Sequence, residues 1–142
     1  MIDEPQSFFA RFPVRFAEVD LVGFVYYPRV LHYCHVAMEE FFAARCGTTY
    51  EQLLARARVG FPTVNIQAEF FTPFNYGDEV EVEVAVTRLG RTSATFVYTL
   101  RRARDRHLCA RATLVQVAMN LDTRRPVEIP APLRACFAAA AP

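Results

Sequence analysis

The chain lacks the stretches and motifs that mark several large classes of protein. No apolar run reaches the roughly 18 residues that a membrane-spanning helix needs. The sequence contains no Walker loop, no GxGxxG, no HExxH and no GxSxG. Serine occurs only at Ser7 and Ser93, and neither lies in a nucleophile elbow. These absences remove membrane spans, the common nucleotide-binding loops, helical zinc proteases and elbow-type serine hydrolases from consideration.

Lysine is also absent, so all sixteen basic residues are arginine, whose planar guanidinium suits phosphate groups. The formal net charge of +1 gives no reason to expect nucleic acid as a partner. The first residues, MIDEPQSFFARF, are acidic and carry no basic stretch before an apolar one. No signal peptide is therefore expected, and the predicted location is the cytoplasm.

Cysteine and histidine give no metal-ligand pattern. The four cysteines show no CxxC pair and no regular spacing: Cys34, Cys46, Cys109 and Cys136. Reduced and mostly buried thiols are predicted, rather than a disulfide or a metal site. His32 and His35 are three apart on a predicted helix, but no third ligand follows at a telling spacing, so no metal is predicted.

The length of 142 residues and the apolar content of 53% predict one ordered domain over residues 1–142. Residues 13–19 alternate as a strand does. Helical spacing of apolar residues predicts one long helix from Pro28 to Cys46, with Gly47 as its C-cap. A shorter helix is predicted in TYEQLLARAR, with Thr48 or Thr49 as its N-cap.

Four later segments have the patterns of strands: 63–74, 79–89, 92–103 and 108–121. Segment 79–89 alternates most regularly, with its valines on one face and its glutamates on the other. Short turns between the segments predict an antiparallel meander. The predicted class is α+β, with the sheet wrapped around the long helix and an open sheet edge that favours association with a second copy.

Asp20 is the unusual residue, because it lies in an apolar turn just before the long helix. The first N–H groups of that helix, near Tyr26, Tyr27 and Arg29, have no internal partners and suit a polarised carbonyl oxygen. A carboxylate beside such donors can attack a carbonyl or activate water while the donors stabilise the oxyanion. Gly23 would let the backbone pass close to a ligand. On residues alone, Asp20 serves either this chemistry or only the capping of a turn.

The segment VRFAEVDLVGFVYYPRVLHYCHVAMEEFF resembles the signature of the 4-hydroxybenzoyl-CoA thioesterase group of hotdog-fold proteins. Its features are a strand ending in Asp, a Gly after two further residues, and an aromatic-Pro opening of the central helix. The segments EFFTPFNYGDEVEVEV, GRTSATFVYTLRR and PVEIPAPLRACF resemble later parts of the family, so the resemblance covers roughly residues 12–137. It implies a hotdog fold and a homodimer with sheets joined edge to edge, commonly paired again into a homotetramer.

The resemblance also implies hydrolysis of an acyl-CoA thioester without metal or cofactor, since CoA is part of the substrate. Asp20 falls on the catalytic carboxylate, acting as nucleophile or general base. The backbone N–H of Tyr27 falls on the group that polarises the thioester carbonyl, with Gly23 and Val25 in the turn. The YYP sequence is closer to the aromatic acyl-CoA members, and a medium-chain acyl group is the alternative. Arg29 and Val30 replace the family's usual Asn-Tyr.

The remaining predictions concern substrate binding. The acyl pocket is expected to include Val25, Tyr26, Tyr27, Pro28, Phe61 and Phe70. CoA phosphates are expected at Arg91, followed by Thr92 and Ser93, with further candidates at Arg101, Arg102, Arg124 and Arg125; solvated surface charge is the alternative. Glu18, two residues before Asp20, is expected to face solvent. The two other functions considered are a thioesterase for chains bound to acyl carrier protein and a non-catalytic acyl-CoA binder.

Overall fold

A computed structural model of the chain describes residues 7–142. The strands of its main sheet are β1 (Phe8–Pro13), β3 (Thr63–Phe70), β4 (Glu79–Leu89), β5 (Ser93–Arg102) and β6 (His107–Val117). This sheet is antiparallel and has the strand order β1-β4-β5-β6-β3. A small second sheet joins three two-residue strands: β2 (Val59–Gly60), β7 (Met119–Asn120) and β8 (Arg125–Pro126). The predicted α+β class with an antiparallel sheet is confirmed.

The longest helix that the structure describes is α1 (Tyr27–Arg45), which has Pro28 in its first turn and Cys46 as its C-cap. The short α2 (Tyr50–Gln52) continues as a π-helical turn, Leu53–Ala57. The hydroxyl of Thr49 accepts the Gln52 N–H at 3.1 Å, so Thr49 is the N-cap. The C-terminal α3 spans Ala131–Ala139. No helix within residues 7–142 is both long enough and apolar enough to cross a membrane.

The core lies between α1 and the main sheet. One face of α1 is buried: Val30, Tyr33, Cys34, Ala37, Met38, Phe41 and Phe42. The valines of β4 belong to the same apolar cluster, and each is at most 4% exposed: Val80, Val82, Val84 and Val86. The period-two pattern of this strand therefore predicted its buried face correctly. At the far end of α1, aromatic rings from several elements pack together: Phe41, Phe42, Phe61, Phe96 and Phe137.

The first strand lies earlier than the sequence pattern indicates. Residues 13–19 were expected to be extended, but β1 ends at Pro13 and a 3-10 turn follows at Phe16–Glu18. Proline has no N–H to continue the ladder. The Glu18 carboxylate then accepts the Arg15 N–H at 2.8 Å, which closes the turn. The strand prediction was wrong here because a local side-chain contact outweighs weak alternation.

The cysteine prediction was half wrong. Cys34 and Cys109 are free and buried, as expected. Cys46 and Cys136 instead form a disulfide between the end of α1 and α3, with Cα atoms 5.4 Å apart. The two residues are 90 positions apart in the chain, so only the packing of α3 against α1 brings them together.

Candidate active site

Asp20 begins a tight turn that leads into α1. Its N–H donates to the Phe24 carbonyl at 2.9 Å, and its carbonyl accepts the Gly23 N–H at 3.0 Å. Its Oδ1 accepts the Val22 N–H at 2.9 Å, so the carboxylate does cap the turn. Gly23 has a φ of +92°, which explains the glycine at this position. The residue is exposed, and no donor among the described residues bonds to Oδ2. Capping therefore leaves one carboxylate oxygen available for chemistry.

Hydrogen bonds connect the turn to the elements around it. The Tyr26 N–H donates to the Glu18 carbonyl at 3.0 Å, and the Val25 N–H donates to the Phe74 carbonyl at 2.9 Å. The Tyr33 hydroxyl, on α1, donates to Oε1 of Glu18 at 2.9 Å. The expectation that Glu18 faces solvent was therefore wrong, since its carboxylate is half-buried and holds the chain against α1.

The start of α1 offers a free donor. Tyr26 is the N-cap, and Pro28 in the first turn has no N–H. The Arg29 N–H donates to the Tyr26 carbonyl at 2.8 Å. The Tyr27 N–H has no acceptor among the described residues, as expected for the first residue of a helix. The helix dipole adds partial positive charge at this donor, which favours a developing oxyanion.

Asp20 and the start of α1 line the same cavity, whose volume is about 470 Å³. This cavity, called the Asp20 cavity below, has a mostly apolar and aromatic wall: Phe24, Val25, Tyr26, Tyr27, Val30, Phe70, Phe71, Thr72, Pro73, Phe74, Cys109 and Ala110. Its volume lies within the usual range of roughly 300–1,000 Å³ for small-molecule sites. A carboxylate, an unpaired backbone donor and an apolar wall are together suited to an apolar acyl group with a reactive carbonyl.

Two further polar side chains of the Asp20 cavity, those of Thr72 and Cys109, are poorly suited to act on a substrate. The Thr72 hydroxyl lies 2.9 Å from Nε2 of His107 and is hydrogen-bonded to it. Burial raises the pKa of the Cys109 thiol above its ordinary value. The thiol therefore remains protonated near neutral pH and is a poor nucleophile. Asp20 is the carboxylate that the structure brings into this cavity.

The structure brings most of the predicted acyl-pocket residues together. Val25, Tyr26, Tyr27 and Phe70 line the Asp20 cavity. Gly23 shapes the neighbouring turn and Pro28 follows in the first turn of α1, although neither is part of the wall.

Phe61 does not line this cavity. It is 2% exposed, and its ring packs in the core against Phe42 and Phe137 at centroid distances of 5.9 and 5.7 Å. Several residues that do line it were not predicted: Phe24, Phe71, Thr72, Pro73, Phe74, Cys109 and Ala110. The FFTPF segment is the signal that could have found the cluster, because its aromatic residues lie close together in the sequence.

The predicted phosphate-binding residues lie apart from the Asp20 cavity. Arg91, Thr92 and Ser93 form the turn between β4 and β5 and the start of β5. Arg91 is exposed, and its carbonyl accepts hydrogen bonds from the Ile129 N–H and from Nη2 of Arg134. This turn supplies none of the residues that line the Asp20 cavity.

The other basic candidates are divided between paired and unpaired side chains. Arg101 bonds to Glu83 at 2.8 Å and Arg102 to Asp105 at 2.7 Å. Arg125 begins β8 and Arg124 lies in the turn before it; both are exposed, and the structure gives their side chains no hydrogen bond or ion pair with the described residues. Within residues 7–142 no group of three or more His, Cys, Asp or Glu could hold a metal ion.

Comparisons with known proteins match most of the chain. The family model of the thioesterase-like superfamily matches residues 14–137. A 1,4-dihydroxy-2-naphthoyl-CoA hydrolase from Thermosynechococcus vestitus is 32% identical over 123 residues, which are 86% of this chain and 82% of that protein.

Solved structures share the fold. A 1,4-dihydroxy-2-naphthoyl-CoA thioesterase from Synechocystis superposes with a TM-score of 0.85 at 24% identity, over 94% of this chain and 96% of that one. The dynemicin thioesterase, crystallised in a study of polyene binding, also has a TM-score of 0.85, at 28% identity and over 96% of this chain and 99% of that one.

Proposed function

Because the chain belongs to the thioesterase-like superfamily, we propose that it hydrolyses an aromatic acyl-CoA thioester in the Asp20 cavity. The observation that carries the proposal is that one apolar cavity is lined by both Asp20 and Tyr27, whose N–H has no acceptor within residues 7–142. An asparagine amide would cap the turn equally well, whereas the Asp20 carboxylate adds a negatively charged oxygen beside the helix N-terminus.

In the proposed reaction the thioester carbonyl oxygen accepts a hydrogen bond from the Tyr27 N–H. Asp20 Oδ2 either removes a proton from water, whose oxygen attacks the carbonyl carbon, or attacks that carbon itself. The tetrahedral intermediate carries its negative charge at the helix start, where the donor and the dipole stabilise it. Its collapse breaks the carbon–sulfur bond and releases CoA as the thiolate, which takes up the proton held by Asp20 in the general-base route or a proton from solvent in the direct route. The direct route leaves an acyl-aspartyl anhydride, which water then hydrolyses to the free acid.

Support for an aromatic acyl group comes from the cavity wall and from the named relatives. The wall carries rings from the start of α1 and from the chain after β3, which favour stacking against a flat acyl group. The relatives act on 1,4-dihydroxy-2-naphthoyl-CoA, whose acyl group is a fused aromatic ring. A single ring, as in 4-hydroxybenzoyl-CoA, is the smaller member of the proposed substrate class.

A second candidate is a longer unsaturated or medium-chain acyl group. Its support is the likeness to the dynemicin thioesterase, studied with a polyene, because the same apolar wall would hold an extended chain.

For the CoA phosphates we propose the exposed Arg91 with Thr92 and Ser93, since a guanidinium and two hydroxyls at a turn are suitable phosphate ligands.

The decisive variant is Asp20→Asn. The amide oxygen can still accept the Val22 N–H, so the turn should be kept while the general base or nucleophile is lost. We expect the rate of aroyl-CoA hydrolysis to fall by about 10³-fold or more, with an unchanged melting temperature. Free thiol release measures the rate. Near wild-type turnover would exclude Asp20 as the catalytic carboxylate.

The matched control is Asp105→Asn. Asp105 also caps a two-residue turn, since its Oδ1 accepts the His107 N–H at 3.1 Å, but it does not line the Asp20 cavity. Its substitution should leave the rate within about twofold, because the amide oxygen still accepts the His107 N–H and can still bond to Arg102, and neither partner lines the cavity. Wild-type enzyme tested with benzoyl-, naphthoyl- and medium-chain CoA esters, and with the same acyl groups on a carrier protein, separates the candidate substrates. An acyl-CoA that binds but stays intact would instead indicate a binding protein.

A further inference from the structure

Glu18 connects the Asp20 turn to α1 through both its side chain and its backbone. Its Oε1 accepts the Tyr33 hydroxyl at 2.9 Å and the Arg15 N–H at 2.8 Å. Its carbonyl accepts the Tyr26 N–H at 3.0 Å. Glu18 therefore lies two residues before the proposed catalytic carboxylate and bonds to the residue just before the proposed carbonyl-binding N–H.

Tyr33 is a rigid anchor for this contact. It lies in the second turn of α1, is 3% exposed, and stacks on the Phe12 ring with centroids 5.9 Å apart and planes at 14°. Burial, followed by the nearby Glu18 carboxylate, raises the pKa of the Tyr33 hydroxyl far above its ordinary value. The hydroxyl thus stays protonated and can donate to Glu18 throughout the working pH range.

We propose that Glu18 and Tyr33 are positioning residues, whose hydrogen bond holds the Asp20 carboxylate at a fixed place relative to the Tyr27 N–H. The inference rests on the proposed function of that site. Neither residue lines the Asp20 cavity, so neither would touch the substrate. Their effect would pass through the backbone, because both ends of the turn, at Glu18 and at Tyr26, are closed by the 3.0 Å hydrogen bond between them.

The need for such a contact follows from the exposure of the turn. Asp20 and residues 21–24 are all exposed, so little packing of their own side chains fixes the turn. Catalytic groups have to be held within about 0.5 Å of their productive position. A misplacement of about 1 Å can lower the rate by about 100-fold. A buried tyrosine on the same helix that carries the carbonyl-binding N–H is a direct way to meet this requirement.

A different explanation for the pair is a second binding site. Glu18 and Tyr33 line a separate cavity of about 300 Å³ together with Phe12, Pro13, Arg15, His32, Val36 and Glu40. The Tyr33 hydroxyl and Oε1 of Glu18 bond to each other there, however, rather than remaining free for a ligand. The experiment below separates a positioning role from a purely structural or ligand-binding one.

The first test is Tyr33→Phe, which removes the hydroxyl and keeps the stacked ring. We expect kcat on the preferred aroyl-CoA to fall by about 10- to 100-fold, with KM changed by less than about threefold because the wall of the Asp20 cavity is intact. The matched control is Tyr50→Phe, since the Tyr50 hydroxyl accepts one hydrogen bond, from the Phe61 N–H at 3.1 Å, away from the Asp20 turn. It should keep the wild-type kcat. An unchanged kcat in Tyr33→Phe would overturn the proposal.

The second test combines the changes. If Tyr33 acts through Asp20, adding Tyr33→Phe to Asp20→Asn should cause no further loss of kcat, whereas independent effects would multiply. Multiplied losses would overturn the positioning role.

Glu18 gives a third test. Glu18→Gln keeps an acceptor oxygen and should retain more activity than Glu18→Ala, with the two variants equal in helical content by circular dichroism. Equal losses of activity would also overturn the positioning role. If Asp20→Asn keeps the wild-type rate, the proposed function itself fails. If Asp20→Asn is inactive and Tyr33→Phe is fully active, only the positioning role is rejected.

Discussion

At the scale of single residues, Gly23 allows the Asp20 turn to close. Its φ of +92° lies in the region that side chains disfavour, although an added Cβ would meet no atom within 4 Å. The cost of a side chain here is therefore backbone strain and not a clash. Because the Gly23 N–H bonds to the Asp20 carbonyl at 3.0 Å, relief of that strain would move Asp20.

Gly23→Ala is expected to lower the free energy of unfolding by roughly 1–2 kcal/mol and to lower kcat by about 10-fold or more through displacement of Asp20. Gly47→Ala is the matched control, since Gly47 has a φ of +70° and equally open surroundings at the end of α1, away from the Asp20 cavity. It should show the loss of stability without the loss of kcat. Thermal melts and thiol-release assays measure the two effects, and equal kcat losses in both variants would contradict the prediction.

The sequence indicated some of the individual site residues and not others. Asp20 and the start of α1 were predictable because an acid in an apolar turn before a helix is a local pattern. Phe70 was predicted together with Phe61, yet Phe70 lines the Asp20 cavity and Phe61 is buried in the core. No local property distinguishes these two rings, because the difference depends on which surfaces the folded helices cover.

At the scale of elements, β3 is the edge strand that helices leave uncovered. All eight of its residues are exposed, including the apolar Val64, Ile66 and Phe70. It pairs with β6 on one side only, whereas α1 packs on β1 and β4 near the other side of the sheet. A long apolar edge with unpaired backbone groups favours pairing with another chain. We therefore expect two copies to join along β3.

The expected mass in solution is twice the monomer mass of 16.2 kDa, or four times that mass where two dimers pair again, as measured by light scattering after size exclusion. Val64→Lys should shift the protein toward the monomer, because a lysine ammonium would be desolvated at the contact. Thr87→Lys is the control, since Thr87 is exposed on β4, which β5 and β6 separate from β3. A wild-type monomer, or a dimer unaffected by Val64→Lys, would reject the β3 contact.

At the scale of the whole molecule, α3 covers the end of the core and ties it to α1. Phe137 of α3 is fully buried and packs edge-on against Phe42, Phe61 and Phe96. The Cys46–Cys136 disulfide joins α3 to the residue after α1. The bridge restricts the unfolded chain over a sequence separation of 90 residues, which stabilises the folded state.

Reduction of the disulfide is expected to lower the free energy of unfolding by roughly 2–4 kcal/mol. The measurement is a thermal melt with and without dithiothreitol, beside the double variant Cys46→Ser, Cys136→Ser. That variant should melt at the temperature of the reduced protein and should not respond to the reductant. Titration of thiols in the denatured, unreduced protein should detect Cys34 and Cys109 only, because these are the free cysteines. Detection of all four thiols in freshly purified protein would contradict the bridge.

The amino-acid sequence by itself determined the features that depend on neighbouring residues. The alternation in β4, the apolar spacing and early proline of α1, a cap for α2 at Thr48 or Thr49 and the Asp20 turn were all predictable, because periodicity and capping are local properties. Only the tertiary structure decided which distant groups meet. The burial of Phe61, the Cys46–Cys136 bridge, the contact between Glu18 and Tyr33 and the uncovered β3 depend on how α1 and α3 pack against the sheet. Such contacts join residues far apart in the chain, and their partners are selected by the packing of the whole core.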